Sequence, residues 1–340
     1  MCTTFFGYFV KTGKSKDGVM KLLVAFNREE YIDREAEVVE RYGDIICGKD
    51  KKTGNSWMAY NTRTKRIAIL TNYRDKRDIK SSKGKEKTDD VKPKKHLFRG
   101  ALVMDWVSTD INKEDYSDKI FENLNEYKGF NLVYGQVDEE STQDSLSLVI
   151  EDDCESSFLY HISNFNSKIL ETMKPLYLKP GVIYGMSNGN ISEWPKVHLG
   201  TKLISESLEK FHYFSTTSKI SHSSNGERVD GTKVSTLKDF DSLYKYSKYC
   251  IDEVMSNTQK PSLWSVPKTD CSFLLEWSLS SIFVKGKYGR KICTVSTQVL
   301  LIDESDQGVF RERFYEFNHS ALKSFLCCST TEFSDKTLTF

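Results

Sequence analysis

Runs of apolar and β-branched residues recur along the chain and predict many strands. Residues 2–10 and 20–26 carry apolar groups at successive positions, which is typical of a strand buried on both faces. Seven further strand-like runs lie at 66–71, 131–137, 145–150, 157–163, 182–187, 278–284 and 293–302. Polar residues follow directly where several of these runs end, so the ends of the strands are candidates for a site.

Apolar residues at helical spacing predict three helices, over 117–128, 196–211 and 239–256. The second of them begins just after Trp194 and Pro195, a pair that stops the preceding structure. Many strands with few and unevenly interleaved helices favour a layered α+β domain over a regular βαβ repeat.

Two polar segments interrupt this pattern and predict surface insertions. Residues 76–95 contain nine Lys/Arg and four Asp/Glu, and residues 214–236 are rich in Ser, Thr, Gly and Asn. The first segment is either a solvated loop or a basic patch for an acidic partner or an anionic membrane. We therefore predict a single domain over 1–326 with these two insertions, followed by a C-terminal tail at 327–340.

Composition narrows the class of protein. The 340 residues carry a formal charge of +1, which argues against a whole-chain basic footprint for nucleic acid. No run approaches the roughly 18 apolar residues of a membrane helix, and the N-terminus lacks the order of a secretory signal. The eight cysteines include no C-x-x-C pair, and the six histidines show no ligand spacing. We expect a cytoplasmic protein without a metal site or cofactor.

The residue with the clearest chemical potential is Cys2. Initiator methionine is commonly removed before a small residue, and Cys2 would then be N-terminal. Its α-amine, titrating near 7.7–8.0, could take the proton of its own thiol, so one residue would supply nucleophile and base. The alternative is that Cys2 is only a small apolar residue in a buried strand.

Asparagines recur where the predicted strands end, and Arg28 follows one of them directly. They are Asn27, Asn72, Asn131, Asn164 and Asn188. Acyl-transfer sites use such carboxamides as donors to a developing oxyanion, together with a cation that orients the substrate. Each asparagine alone is equally typical of a turn, and it is their recurrence that favours a site.

These residues resemble a known family. Its motifs occur in order from residue 1 to about residue 315. They are Met1-Cys2-Thr3, Phe26-Asn27-Arg28-Glu29-Glu30 with Arg34, Gly48-Lys49-Asp50 with Trp57, Leu70-Thr71-Asn72-Tyr73-Arg74-Asp75, Phe98-Arg99-Gly100, Gly129-Phe130-Asn131-Leu132, Tyr184-Gly185-Met186-Ser187-Asn188, Trp194-Pro195-Lys196, Tyr288-Gly289-Arg290 with Thr294, and Glu312-Arg313. On these motifs the chain is similar to the NRDE family, also called the transport and Golgi organisation protein 2 family. It departs at Glu29, where the family motif has Asp, and at Arg290, where relatives carry an extra Thr after the glycine.

The resemblance implies a four-layer αββα sandwich like that of N-terminal-nucleophile hydrolases. By analogy with amidases of that superfamily, Cys2 would be the nucleophile, Arg28 the substrate-orienting cation and Asn72 the oxyanion-hole donor. The remaining implied substrate-binding residues are Asn27, Glu29, Asn131, Asn164, Asn188 and Arg290.

For function, the resemblance implies a role in Golgi organisation, protein secretion and haem or lipid trafficking. The ligand would be a small or amphipathic molecule, such as haem or an acylated compound, held in a cleft. The alternative is an amide hydrolase that uses Cys2. The implied location is the cytoplasm with Golgi association, and the mitochondrion is the alternative.

Overall fold

Two antiparallel sheets account for the strands of the described residues. The computed structural model describes residues 2–9, 20–74, 96–137, 159–211, 240–269, 272–285, 292–317 and 330–340. The first sheet contains β1 (Cys2–Tyr8), β2 (Met20–Tyr31), β10 (Tyr184–Met186), β11 (Ile292–Asp303), β12 (Gly308–Phe317) and β13 (Thr330–Thr339). The second contains β3 (Ala36–Tyr42), β4 (Ile45–Asp50), β5 (Met58–Asn61), β6 (Arg66–Asn72), β7 (Phe130–Gln136), β8 (Leu159–Ser163) and β9 (Leu176–Leu178).

Strand order places the N-terminal strand inside its sheet. The orders are β10-β1-β2-β11-β12-β13 and β3-β4-β5-β6-β7-β8-β9. The helices are α1 (Gly100–Ser108), α2 (Lys113–Glu122), α3 (Ser167–Thr172), α4 (Pro195–Lys210), α5 (Phe240–Tyr249), which continues as a π-helix over Cys250–Met255, and α6 (Phe273–Ser278). Short 3-10 turns lie at Leu124–Glu126 and Leu263–Ser265.

Within the described ranges, three apolar cores separate four layers. One lies between the sheets, where Phe6 and Val24 of the first sheet meet Ile67 of the second. Another packs the outer face of the second sheet on α1 and α2, and includes Trp106. The third packs the outer face of the first sheet on α4, α5 and the π-helix, and includes Phe5. The layers therefore run helix, sheet, sheet, helix, and the predicted layered α+β fold is confirmed.

Strand β1 is fixed by contacts on both of its faces. Side chains alternate along a strand, so Phe6 enters the inter-sheet core while Phe5 faces α4. A Cβ on Gly200 of α4 would lie 1.9 Å from the ring of Phe5, so the helix and strand approach closely only because residue 200 is glycine. This packing fixes β1 between the inter-sheet core and α4.

One predicted strand is wrong. Residues 278–284 carry apolar groups at strand-like spacing, but the structure has α6 ending at Ser278 and bends from there to Val284. The serine hydroxyls explain the difference, because Ser278 donates to the carbonyl of Leu275 at 2.6 Å and Ser280 donates to that of Trp277 at 2.6 Å. These bonds close the last turn of α6 on carbonyls that precede the segment, so they hold its first residues in a helical turn and not in an extended strand.

Other differences concern boundaries and regions without a clear pattern. The predicted helix at 117–128 is α2 followed by a 3-10 turn, and it begins early because the Asn112 side chain accepts from the backbone of Asp115 at 2.7 Å. Part of the predicted C-terminal tail, Thr330–Thr339, is the edge strand β13 paired with β12. The predicted strand at 145–150 and both predicted insertions, 76–95 and 214–236, lie outside the described residues.

Candidate functional site

A cavity of about 150 Å³ lies where β1, β2, β4 and β6 come together at one end of the sandwich. Its lining residues are Cys2, Arg28, Glu30, Arg34, Asp50, Thr53, Asn55, Ser56, Trp57, Leu70, Asn72, Phe98, Arg99 and Gly100. We call it the Cys2 cavity. The structure therefore brings together Cys2, Arg28 and Asn72, the three residues that the sequence predicts as a catalytic set.

The alternation of side chains along β2 decides which of its polar residues reach this cavity. Arg28 and Glu30 lie on the inter-sheet face and line it. Asn27 and Glu29 lie on the opposite face, toward the helices, and do not line it. The polar residues are also inside the strand, which extends to Tyr31, and not beyond its end as the sequence pattern suggested.

Arg28 is the buried cation of the Cys2 cavity. Its guanidinium bonds to Asp50 Oδ2 at 3.1 Å and lies 4.5 Å from the ring centroid of Trp57. Arg34, which is more exposed, donates from Nε to the same Asp50 oxygen at 2.7 Å. Burial alone would raise the pKa of Asp50, but the hydrogen bond from Arg34 and the charges of both arginines hold it below its ordinary value.

A buried chain of hydrogen bonds fixes the indole beneath Arg28. Trp57 Nε1 donates to Gln298 Oε1 at 2.9 Å, and Gln298 Nε2 donates to Glu312 Oε1 at 2.8 Å. Burial raises the pKa of Glu312, whose other oxygen accepts from the backbone of Val39 at 2.5 Å. A Cβ on Gly48 would lie 3.0 Å from both Trp57 and Gln298, so a larger residue there would have to displace these side chains.

Cys2 opens β1 and pairs in register with Arg28. The residue is buried, and its carbonyl accepts from the Ser187 hydroxyl at 2.9 Å. Burial raises the pKa of the Cys2 thiol to about 11, against the smaller lowering effect of nearby positive charge. The thiol is therefore protonated at neutral pH in a chain that retains Met1.

Two of the predicted asparagines, Asn131 and Asn188, donate to backbone carbonyls beside the cavity and do not line it. Asn188 Nδ2 donates to the carbonyl of Asn72 at 2.6 Å, and the backbone of Arg74 donates to the carbonyl of Asn188 at 2.9 Å. Asn131 Nδ2 donates to the carbonyl of Gly189 at 2.9 Å. These bonds join the end of β6 and the start of β7 to the loop after β10, and this junction positions Asn72 at the cavity.

Two further asparagines serve backbone groups elsewhere. Asn27 Nδ2 donates to the carbonyls of Met255 and Ile282, both at 2.9 Å, and its Oδ1 accepts from Thr297 at 2.6 Å. Asn164 accepts from the backbone of Phe130 at 2.9 Å. Neither lines the Cys2 cavity, so the expectation of a substrate-binding role has no support in their positions.

Glu29 lies in a separate buried group of charges. It is fully buried and accepts from the Thr3 hydroxyl at 3.4 Å. Burial raises its pKa, while the charges of Lys196 and Arg74 oppose that rise. Arg290, the last predicted binding residue, lies outside the described residues.

Sequence reasoning overlooked several residues that line the cavity as site residues. Glu30, Arg34, Asp50, Trp57 and Arg99 all stand in or near the motifs that carry the family resemblance. Side chains two positions apart in a strand share a face, so the placement of Arg28 could have predicted Glu30 as well. Asp50, Trp57 and Arg99 come from other strands and from the start of α1, so only the tertiary fold brings them to Arg28.

The described part of the chain offers no metal centre. No group of three His, Cys, Asp or Glu side chains there could hold a metal ion, and no histidine lines the Cys2 cavity. His161 is fully buried, and burial lowers its pKa to about 4. Among the helices of these same residues, none is long and apolar enough to cross a membrane.

Comparison with known proteins gives one consistent result. A family model described as Transport and Golgi organisation 2 matches residues 1–316. The chain is 26% identical over 217 residues to the Transport and Golgi organization protein 2 homolog of Bos taurus, and 27% identical over the same length to that of Homo sapiens. Each alignment covers 62% of this chain and 65% of the relative, so the chain spans somewhat less than two thirds of the length of these relatives.

Proposed function

Because the chain belongs to the transport and Golgi organisation 2 family, we propose that it serves Golgi organisation and protein secretion as a carrier of a small amphipathic molecule. Haem and acylated compounds are the two ligand classes that fit this proposal. In it, the Cys2 cavity binds the anionic group of the ligand, and the chain acts in trafficking without changing the ligand chemically.

The observation that carries the proposal is the buried guanidinium of Arg28 at the wall of the Cys2 cavity. Arg34 and Arg99 line the same cavity, so three cations face two carboxylates, those of Asp50 and Glu30. A volume of about 150 Å³ suits a carboxylate or phosphate group and is smaller than the roughly 300–1,000 Å³ of sites that enclose a whole ligand. The apolar part of the ligand would lie outside it.

Mass spectrometry of small molecules that co-purify with the native chain tests the carrier proposal. We expect an amphipathic anion in the wild type and in Cys2→Ser, and its loss in Arg28→Met. Arg63→Met is the matched control, because Arg63 makes an exposed ion pair with Asp44 far from the cavity lining. Rescue of secretion in cells that lack the protein should follow the same order. Equal ligand recovery from Arg28→Met and the wild type would contradict the carrier proposal.

Amide hydrolysis is the second candidate, and the placement of Cys2 favours it. Cys2 pairs in register with Arg28, and both line one cavity with Asn72. In this mechanism the Cys2 sulfur adds to the amide carbon while its proton passes to the α-amine and then to the leaving amine. Water then hydrolyses the thioester, releasing the acid and restoring the thiol. Asn72 would donate to the oxyanion.

Removal of Met1 separates the two candidates. The α-amine exists on Cys2 only after Met1 is removed, and without it the thiol of pKa about 11 lacks the amine base on which this mechanism depends. Intact-mass measurement of the native chain therefore gives a direct answer, since retained Met1 excludes the hydrolase mechanism. If Met1 is absent, Cys2→Ser should abolish hydrolysis of a model amide but leave ligand recovery unchanged.

We further propose that the chain acts in the cytoplasm in association with the Golgi, with the mitochondrion as the alternative location. The names of the curated relatives support the Golgi association. Imaging of a fusion at the C-terminus tests the location and leaves Cys2 unmodified. Co-localisation with a Golgi marker is expected, and exclusive overlap with a mitochondrial marker would select the alternative.

A further inference from the structure

A second cavity, larger than the Cys2 cavity, lies at the N-terminus of α4. Its volume is about 490 Å³, within the roughly 300–1,000 Å³ of sites that enclose a whole small molecule. Its wall comes from the residues after β6, from the loop between β10 and α4, and from residues between 265 and 269. The two cavities share no lining residue, so the proposed function leaves this one without a role. We call it the Trp194 cavity.

The indole of Trp194 brings a hydrogen-bond donor to this wall. Trp194 is 5% exposed, and among the residues that the structure describes its Nε1 has no acceptor. A buried indole N–H usually has one. The Nε1 edge of the ring lies beside Gly189, another lining residue, since a Cβ on that glycine would be 2.2 Å from Nε1. A buried donor that has no acceptor and lies at a cavity wall indicates a ligand with an acceptor oxygen.

The first turn of α4 adds a second donor beside the same wall. This helix has 16 residues, and no side chain caps its N-terminus. Pro195, which lines the cavity, has no N–H. Val197 and His198 donate to the carbonyl of Trp194 at 2.8 and 3.0 Å, whereas the N–H of Lys196 has no acceptor in the described part of the chain. The positive end of the helix dipole favours an anion at this position.

The charges behind the indole are paired. Arg74 Cζ lies 5.5 Å and Lys196 Nζ 5.9 Å from the centroid of the Trp194 ring. Arg74 bonds to the buried carboxylate of Glu276 at 2.6 Å, and the charge of Lys196 acts on buried Glu29. The two N–H donors, and not an excess of positive charge, therefore define the polar group that this wall accepts.

The open side of the Trp194 cavity carries one exposed side chain of each charge. They are Lys268 and Glu193, and both line the cavity. Glu193 Oε2 accepts from the backbone N–H of Asn190 at 2.9 Å. Lys268 has no ion-pair partner within the described ranges, so its ammonium is available to a bound anion.

We propose that the Trp194 cavity binds a small organic carboxylate with an apolar body. The carboxylate oxygens accept from Trp194 Nε1 and from the N–H at the start of α4, and Lys268 adds attraction. The apolar body packs on the rings of Tyr73 and Pro267, which line the same cavity. A bare inorganic anion would fill only a small part of about 490 Å³ and would leave those rings in water. This site is independent of what the Cys2 cavity binds.

Fluorine NMR of the full chain with 4-fluorobenzoate tests the proposal. The neutral amide, 4-fluorobenzamide, has nearly the same shape without the charge. We expect saturable binding of the carboxylate and about tenfold weaker binding of the amide, because hydrogen bonds to a charged acceptor are the stronger ones. Since Arg28 of the Cys2 cavity could also take a carboxylate, the titration is repeated with Arg28→Met, which should retain the probe.

Variants of the wall separate the contributions of its groups. Trp194→Phe keeps an aromatic ring without the N–H, so we expect about tenfold weaker binding of 4-fluorobenzoate. Lys268→Met should weaken binding about threefold and Glu193→Gln should strengthen it about threefold, as expected for exposed charges. The matched control is Lys202→Met on α4, which removes an exposed lysine paired with Glu206 at 3.7 Å. Thermal unfolding of each variant checks that it is folded.

The exposed variants keep the proposal open to contradiction if Trp194→Phe or Arg28→Met does not fold. It is overturned if 4-fluorobenzoate does not bind, if the amide binds equally well, or if Lys268→Met and Glu193→Gln both leave the affinity unchanged. Loss of the probe in folded Arg28→Met would place it in the Cys2 cavity and would also overturn the proposal. Displacement of the probe by an equal concentration of inorganic phosphate would show that a bare anion suffices, against the organic ligand proposed.

Discussion

The two faces of β2 carry the same kinds of polar side chain but use them for different purposes. On the inter-sheet face, Arg28 and Glu30 line a cavity with access to solvent through the partly exposed Arg34. On the helix face, Asn27 and Glu29 are fully buried. One motif, Asn27-Arg28-Glu29-Glu30, thus contributes to a candidate site and to the packing of a core, and the pleat of the strand separates the two tasks.

Asp50 at the cavity and Glu29 on the helix face have pKa values shifted in opposite directions. Asp50, with two arginines around it, has a pKa below its ordinary value in spite of burial. Glu29 has a pKa above its ordinary value, because burial outweighs the charges of Lys196 and Arg74. The arginines at the cavity hold Asp50 ionised, whereas burial at Glu29 favours the neutral acid.

The largest expected effect is on the helix face. Asn27→Ala removes two donors and leaves the carbonyls of Met255 and Ile282 buried without their partner. We expect a loss of about 3 kcal/mol in the free energy of unfolding, the cost of orphaned buried acceptors, measured by urea denaturation. Asn72→Ala at the cavity is the matched control and should cost less than about 1 kcal/mol. Similar losses from both variants would contradict the division between the faces.

The next effect concerns the ion pairs of the cavity. Asp50→Asn leaves Arg28 buried without its carboxylate, so we expect about 2 kcal/mol lower stability at pH 6. Because the folded pKa of Asp50 is depressed, its contribution is present above its ordinary pKa of 3.8 and is lost as pH falls through the lower folded value. The gap between the wild type and Asp50→Asn should therefore close in acid, and a constant gap down to pH 2 would contradict the assignment.

Glu29 should show the opposite dependence on pH. Its raised pKa means that the folded chain keeps a proton above the ordinary value of 4.5, so stability should fall as pH rises through that window. Glu29→Gln cannot ionise, so its free energy of unfolding should depend less on pH. At pH 8 it should differ from that of the wild type by about 1 kcal/mol. Glu30→Gln, on the cavity face and partly exposed, is the control. Urea denaturation from pH 4 to pH 8 measures both, and equal slopes in the wild type and Glu29→Gln would rule out the raised pKa.

The sequence predicts the layers well because they follow from local patterning. Long apolar runs mark β1, β2, β6, β7 and β11, and their burial on both faces requires helices outside both sheets. Strands β3 and β12 are not predicted because polar residues are frequent in both. The buried arginines and glutamate of β12 are stabilised by partners from other parts of the chain, such as Asp335, which accepts from Arg313 at 2.7 Å. Such partners do not appear in a local pattern.

The site is only partly predictable for the same reason. Cys2, Arg28 and Asn72 are grouped on the strength of the family resemblance, and all three line the Cys2 cavity. The asparagines that lie elsewhere could not be separated from them, because a carboxamide that bonds backbone carbonyls and one that faces a cavity have the same sequence signal. Asn27 and Asn164 belong to the first kind.

The smallest effect on stability, and the sharpest on chemistry, is expected at Cys2. In a chain that retains Met1 the thiol has a pKa of about 11, so alkylation by iodoacetamide should be slow at pH 7 and rise about tenfold per pH unit. A chain with Cys2 at its N-terminus carries an α-amine beside the thiol, and its alkylation should level off at lower pH.

Peptide mass spectrometry after timed alkylation measures the reaction of each cysteine separately. Cys47 and Cys250 are internal controls, because burial raises the pKa of their thiols to about 11 and about 12. Those controls sit in packed cores away from the cavity, so they should react slowly in both chains. If Cys2 reacts as slowly as they do even after Met1 is removed, the thiol belongs to the packing of β1, and Arg28 alone then distinguishes the cavity face of the sandwich. If it reacts faster only in the processed chain, the cavity face carries the nucleophile that the helix face lacks.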